Sequence, residues 1–194
     1  IALPLDLTDE RSVKDAVARA EREFGRIDVL VNNAAAFSHR TVLDLSVEEW
    51  DRVMGTNLRG VFLMCREVLP AMIRRRSGDV VMVSSTSGKR GNAELAAYAA
   101  SKHGLNGFTH ALLYEVRPHG VRVITVSPSA VETPERGTLR PNRLHAADVL
   151  DVALPRQIRA GGRRRPPAAA LVVEDQAPLV GEERELGQEV VVVR

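Results

Sequence analysis

Apolar residues recur over the first 130 positions in two alternating rhythms, short unbroken runs and longer stretches with helical spacing. The run IALPLD (Ile1–Asp6) has the length of a buried strand. Val13, Ala16, Val17, Ala20 and Phe24 then repeat at helical spacing, and Gly25 is placed to end that helix. Ile27–Val31 predicts a strand buried on both faces. Ser46 and Glu49 form an S-x-x-E capping box, which starts a helix. Val61, Phe62, Cys65, Val68, Leu69, Met72 and Ile73 lie on one stripe of a longer helix, Leu58–Arg76, expected to contribute its Met and Phe to the core. Arg74, Arg75 and Arg76 suit the negative end of its dipole, and Gly78 stands ready to stop it. Asp79–Ser85 predicts another buried strand, Glu94–Val116 a helix and Val121–Pro128 a further strand. Gly104 and Gly107 each cost that helix up to ~1 kcal/mol relative to alanine, which close packing against another backbone would explain. Strands alternating with helices predict an α/β domain, a parallel sheet covered on both faces in a doubly wound arrangement.

From about Pro155 the pattern fades. PRQIRAGGRRRPPAAA has neither period, so residues 1–154 are expected to form the domain and 155–194 a linker and tail, with a last strand at Val190–Val193. Aromatic residues make up only 4% of the chain, so the core must come from Val, Leu, Ala and Met. A net charge of +2 is too weak to argue for nucleic acid, and Arg163–Arg165 is read as a short solvated charge run. The single cysteine, Cys65, cannot form an internal disulfide, which fits a reduced, cytoplasmic setting. No apolar run approaches the roughly 18 residues of a membrane span, and no signal peptide is visible. The first residue is Ile1 rather than methionine, so the amino terminus is expected to be a cut or incomplete start. Five histidines show no metal-binding spacing, and no metal is expected.

Candidate chemistry centres on YAASK, Tyr98 to Lys102. A tyrosine and a lysine at i and i+4 share a helix face. A free phenol, with a pKa of about 10, is a poor base at neutral pH, but a neighbouring ammonium favours the phenolate and brings proton exchange within range. Alone the pair is a weak signal, as readily a packed ring on a helix surface. Ser85 ends an apolar strand, which places its hydroxyl at the carboxyl edge of the sheet, where open α/β sheets bind ligands. Asn57 falls early in the long helix, and Asn32–Ala35 follows the strand Ile27–Val31. Singly these are a turn cap, a helix-bending amide and turn formers. Together they face one crevice.

The motifs DLT at Asp6–Thr8, LVNNAA, Asn57, VVMVSSTSG, YAASK and VRVITVSPSAVET occur in an order that resembles the short-chain dehydrogenase/reductase family, closest to its 3-oxoacyl-carrier-protein-reductase-like members. The resemblance covers residues 1 to about 135. It implies a Rossmann-like sheet and hydride transfer between NAD or NADP and a carbonyl or secondary alcohol. By that resemblance Tyr98 exchanges the proton, Lys102 lowers its pKa and holds the nicotinamide ribose, and Ser85 hydrogen-bonds the substrate oxygen. Asn57 would hold a water that links Lys102 to solvent. Asp6 and Leu7 match the adenine contact, Asn32 and Ala34 the adenosine side, and Val131 and Thr133 positions near the nicotinamide carboxamide. The two long helices imply a homodimer or homotetramer.

Three departures qualify the resemblance. Ala35 stands where the family has glycine, and Ser129 replaces a glycine after the last strand, with strain if that position needs a positive φ. The opening strand, its T-G-x-x-x-G-x-G loop, the following helix and the second strand are all absent from these 194 residues. That loop gives the family its grip on the cofactor pyrophosphate. In the family strand order two absent strands belong between Ile1–Asp6 and Ile27–Val31, leaving roughly 14 Å to bridge. A sheet cannot hold such a slot open. Either the chain is a fragment, the favoured expectation, or it adopts a different pairing. The alternatives in function are a related isomerase or dehydratase, and a cofactor-free module that keeps only the helix interface.

Overall fold

The computed structural model describes residues 2–128 throughout and, beyond them, the strands at 131–132, 144–145, 170–175 and 188–193. Strand β1 (Ala2–Leu5) leads through helix α1 (Glu10–Phe24) to β2 (Val29–Asn32). Helix α2 (Val47–Met54) runs into a π-helical turn, Gly55–Gly60, and on into α3 (Val61–Arg75). Then follow β3 (Gly78–Val83), a 3-10 turn at Thr86–Gly88, α4 (Ala96–Val116), a second 3-10 turn at Arg117–His119 and β4 (Val121–Val126). Short strands β5 (Val131–Glu132) and β6 (Leu144–His145) pair in parallel apart from the main sheet. Strands β7 (Ala170–Asp175) and β8 (Gln188–Val193) belong to the main sheet. None of the described helices is long and apolar enough to cross a membrane.

Local chemistry sets the helix ends. Asp9 caps α1 by accepting from Arg11 N at 2.9 Å, and Gly25, at φ 79°, closes it by donating to Glu21 O at 2.7 Å. Ser46 Oγ accepts from Glu49 N at 3.1 Å, as the capping box predicts. The end of α3 differs from expectation. Arg76 itself takes the left-handed conformation at φ 55°, and Ser77 N reaches back to Met72 O at 3.1 Å. Gly78 is the first residue of β3, not the stop; a Cβ there would meet Met72 Sδ at 2.5 Å, so its role is close packing. The same argument holds for Gly104, where a Cβ would lie 2.9 Å from Leu58 Cδ2, but fails for Gly107, which has nothing within 4 Å. Helix α4 starts at Ala96 rather than Glu94, because Glu94 sits at φ 64°.

The main sheet has the order β1-β8-β7-β2-β3-β4. β7, β2, β3 and β4 are mutually parallel, and β8 is antiparallel to both β7 and β1. Two strands therefore stand between β1 and β2, as many as the expected slot requires, drawn from the stretch expected to be a linker and tail. The sheet of these residues is thus paired differently from the family order, and the fragment expectation stands beside that pairing. The final strand begins at Gln188, two residues earlier than Val190. Pro4 lies on β1, the edge strand, where its missing N–H costs no ladder bond on the open side.

Every residue of β2, and every residue of β3 after Gly78, is buried, so both faces of the central strands are covered. One cluster joins Leu3, Leu30, Val80 and Met82 of the strands to Val13 and Val17 of α1, Met64 and Met72 of α3, and Leu105 and Leu112 of α4. Phe62 departs from its expected core position and is 42% exposed. At the amino edge Arg122 Nε and Nη2 grip Asp79 at 2.6 and 2.8 Å, which fixes the β3–β4 register and raises the Arg122 pKa through those hydrogen bonds. Gly120 turns the chain into β4 at φ 73°, and a Cβ there would meet Arg76 O at 2.6 Å. Gly120→Ala is therefore expected to lose about 1–3 kcal/mol of stability, read as a lower urea midpoint at unchanged m-value.

Candidate active site

The carboxyl end of β3 delivers Ser84 and Ser85 into the turn Thr86–Gly88. Ser84 N donates to Val126 O at 2.7 Å and Thr86 N to Pro128 O at 2.9 Å, tying this turn to the end of β4. Ser85 is extended, at φ −160°, and its Oγ accepts from Ser87 N at 3.1 Å. Ser85 therefore caps the turn with its oxygen, and its hydroxyl hydrogen has no acceptor among the described residues. Asn106 of α4 clamps the same turn, accepting from Ser84 Oγ at 2.7 Å and donating to Gly88 O at 2.9 Å. Gly88 permits this approach, since a Cβ would lie 2.6 Å from Asn106 Nδ2 and 2.8 Å from Lys102 O.

Lys102 is buried at 2% exposure and donates from Nζ to Val83 O at 2.8 Å. Its Nζ lies 5.6 Å from the centre of the Tyr98 ring. The pair predicted from helical spacing is therefore in place, and the lysine ties it to the strand that carries Ser85. On another side of the Tyr98 ring Phe37 packs edge-on, with centroids 4.9 Å apart and planes at 60°.

Asn57 occupies the π-turn and is fully buried. Its Oδ1 accepts from Ala36 N at 2.7 Å, while its Nδ2 donates to Ala36 O at 2.9 Å and to Ser101 Oγ at 3.0 Å. Ser101 Oγ in turn donates to Tyr98 O at 2.8 Å. A chain of hydrogen bonds thus runs from the loop after β2, through the π-turn, to the backbone of the tyrosine. Both amide hydrogens of Asn57 are used in it, so the side chain acts here as a splint. Ser101, Asn106 and Phe37 were missed from the sequence. Ser101 sits inside YAASK itself, and Phe37 is one of four phenylalanines, which were the available signals.

The residues expected on the cofactor side are more scattered in role. Asp6 follows β1 and accepts from Thr8 N at 2.8 Å and Thr8 Oγ1 at 2.7 Å. Leu7 is 1% exposed and packs where Gly60 has no side chain, a Cβ there being 2.7 Å from Leu7 Cβ. Asn32 turns its amide inward toward Met82 Sδ at 3.4 Å and Cys65 Sγ at 3.7 Å, and Ala34 is buried. The Asn32 Nδ2 thus points to sulfur in the core, and the Leu7 side chain is taken up in packing. Val131 lies on β5, and Thr133 and Ser129 fall outside the described residues. No group of three or more possible metal-ligating side chains occurs among the described residues.

These residues fit a nicotinamide nucleotide unevenly. At the reactive end a phenol, a buried ammonium and a hydroxyl with a hydrogen to donate suit a ribose and a carbonyl oxygen. At the phosphate end the described residues supply no glycine loop, and β7 stands beside β2 in the sheet.

A family model described as short chain dehydrogenase matches residues 1–144. The 3-oxoacyl-(acyl-carrier-protein) reductase of Thermotoga maritima is 41% identical over 130 residues, which are 67% of this chain and 53% of that protein. The corresponding reductase of Salmonella typhimurium is 33% identical over 178 residues, 92% of this chain and 72% of its own length. A crystal structure of a metagenomic short-chain oxidoreductase in complex with NADP is similar at TM-score 0.63 and 36% identity, over 66% of this chain and 60% of that one. The chain thus spans little more than half the length of several proteins that it matches.

Two measurements test the geometry. Asn57→Ala leaves Ala36 N–H, Ala36 C=O and Ser101 Oγ short of a partner, and is expected to cost about 2–4 kcal/mol in urea unfolding. Burial pushes the Cys65 thiol up from 9.0 to about 12, against a smaller lowering from the Asn32 amide. Between those values the unfolded chain has lost a proton that the folded chain keeps, so stability present below pH 9 falls as pH rises. The expected slope is about 1.4 kcal/mol per pH unit, seen as the difference between this chain and Cys65→Ala in urea titrations at increasing pH.

Proposed function

The chain belongs to the short-chain dehydrogenase family, and from that premise we propose that Ser85, Tyr98 and Lys102 interconvert a carbonyl and a secondary alcohol with NAD or NADP as hydride carrier. The observation that carries this reading is the Tyr98 ring beside the buried Lys102 Nζ, itself bonded to the carbonyl that ends β3 two residues before Ser85.

In reduction the Tyr98 phenol gives its proton to the substrate oxygen; in oxidation the phenolate takes it back. A cation so close favours the phenolate, which eases both transfers. Ser85 donates its hydroxyl hydrogen to the same oxygen as charge develops there, and the backbone N–H of Ser87 holds the serine oxygen in position. Lys102 would hold the nicotinamide ribose, with the backbone near Asp6, Leu7, Asn32 and Ala34 on the adenosine side and Val131 and Thr133 near the carboxamide. A bound reduced nicotinamide supplies the hydride for the carbonyl carbon. Asn57, through Ser101 and the Tyr98 carbonyl, keeps the phenol in register with Ser85.

A homodimer through α3 and α4 accompanies this reading. Phe62 is 42% exposed and meets Phe108 edge-on at 6.4 Å, and both line an apolar groove with Met54 and Leu58. Tyr114, 64% exposed, extends the apolar surface of α4. The same surface supports the second reading, a module that assembles without turning over substrate, because the phosphate end of the cofactor site is the part least provided for.

The deciding experiment is ketone reduction with NADH and NADPH, alongside nicotinamide fluorescence for binding. Tyr98→Phe is expected to lower turnover by about 10²–10⁴-fold while leaving nucleotide binding within a few fold. Lys102→Met is expected to lower both. Turnover at the original rate by Tyr98→Phe would sink the mechanism.

A further inference from the structure

Phe37 is held more firmly than an exposed aromatic residue needs to be. The residue before it, Ala36, has both backbone groups bonded to Asn57, and Phe37 O accepts from Arg52 Nη2 at 3.0 Å. Three residues on, Arg40 N donates to Glu94 O at 2.9 Å, so the loop is also tied to the turn that precedes α4. Within this frame the Phe37 ring meets Tyr98 at 4.9 Å yet remains 41% exposed. Beyond it the rim turns polar, with His39 Nδ1 3.1 Å from Glu94 Oε2. A scattered surface phenylalanine requires no explanation. One fixed from the backbone and still 41% exposed beside the Tyr98 ring has the properties of a pocket wall.

We propose that Phe37 is a specificity-determining residue: its exposed apolar surface forms the wall for one flank of the substrate, so the site takes carbonyl compounds or alcohols bearing an alkyl or aryl substituent next to the reacting carbon, and discriminates against charged flanks. The inference rests on the carbonyl oxygen lying at Tyr98 and Ser85. Three constraints shape it. The wall is rigid, because the backbone on both sides of the ring is bonded. It is adjacent to the chemistry, because the ring touches Tyr98 itself. It is purely apolar, so it contributes in proportion to the apolar area covered.

The test separates the wall from the carbonyl site by slope and offset. Affinities of methyl ketones from acetone to 2-heptanone are measured by saturation-transfer NMR on the full chain without cofactor. Each added methylene is expected to tighten binding by about threefold. Phe37→Leu should keep most of that gain, and Phe37→Ala should reduce it to less than about 1.5-fold per methylene with the amide spectrum unchanged. Tyr98→Phe should weaken every ketone by the same factor and leave the gain per methylene untouched. If Phe37→Ala keeps the threefold step, the wall is elsewhere and the inference is overturned, while the proposed function stands. If Tyr98→Phe and Ser85→Ala change no affinity, or no ketone binds, the carbonyl does not sit at Tyr98 and both fall.

Discussion

The buried amide of Asn57 is the constraint on which the rest of the site depends. An α-helix passing from α2 to α3 without interruption would carry residue 57 past the loop after β2. The π-turn adds the extra residue that swings the amide inward, where its three hydrogen bonds satisfy a loop N–H, a loop C=O and a hydroxyl on α4. Buried polar groups of this kind cost about 1–3 kcal/mol each when left unpaired, so the loop, the turn and α4 are coupled rather than merely adjacent. The turn in turn needs Gly60, because Leu7 fills the space a side chain would take. A residue following β1 thereby helps set the position of a tyrosine more than ninety positions later.

A second constraint comes from the sheet. Strands buried on both faces must have their backbone groups paired, so the gap between β1 and β2 has to be filled by something. The filling segments are Val-rich, ALVVED and QEVVVV, and they enter as a parallel strand beside β2 and an antiparallel one beside β1. This solves the hydrogen-bonding problem of the sheet. It does not reproduce a strand-to-helix glycine loop, because neither segment carries one. By register Glu174 and Glu189, and Asp175 and Gln188, face each other at the carboxyl edge, beside Leu5 and the Asp6 that follows it.

How much was legible beforehand depended on whether a feature was local. Helical spacing, the Ser46 cap, Gly25 and the apolar runs of β2 and β3 are properties of a few neighbouring residues, and they stand within a residue or two of where the pattern put them. The Tyr98–Lys102 pair was legible for the same reason, as was Ser85 at a strand end. What lay hidden was decided by distant partners. Gly78 and Gly104 owe their role to Met72 and Leu58, whereas Gly107 has no such neighbour. Asn57 gave a hint of a bend but not of its bonds to Ala36 and Ser101. Phe62 followed the helical stripe yet faces outward, beside Phe108. The strand at Ala170–Asp175 could not be recognised alone, because its reason for being a strand is the vacancy next to β2.

These two constraints act on different parts of the sheet. The hydrogen bonds of the Asn57 splint, the Lys102 anchor and the Asn106 clamp join residues between 36 and 106. None of these hydrogen bonds involves β7 or β8. The arrangement of Ser85, Tyr98 and Lys102 therefore forms while the sheet beside β2 is completed by the segments at 170–175 and 188–193. The order of dependence follows from this: α4 and its tyrosine need the loop after β2 in place, the loop needs Asn57, and Asn57 needs the space left by Gly60. Under the proposed function, cofactor affinity would depend on what lies beyond β2 toward β1. Under the same proposal, the proton-exchanging residues and the phosphate end of the cofactor are separable, because they fall on opposite sides of β2 in the sheet.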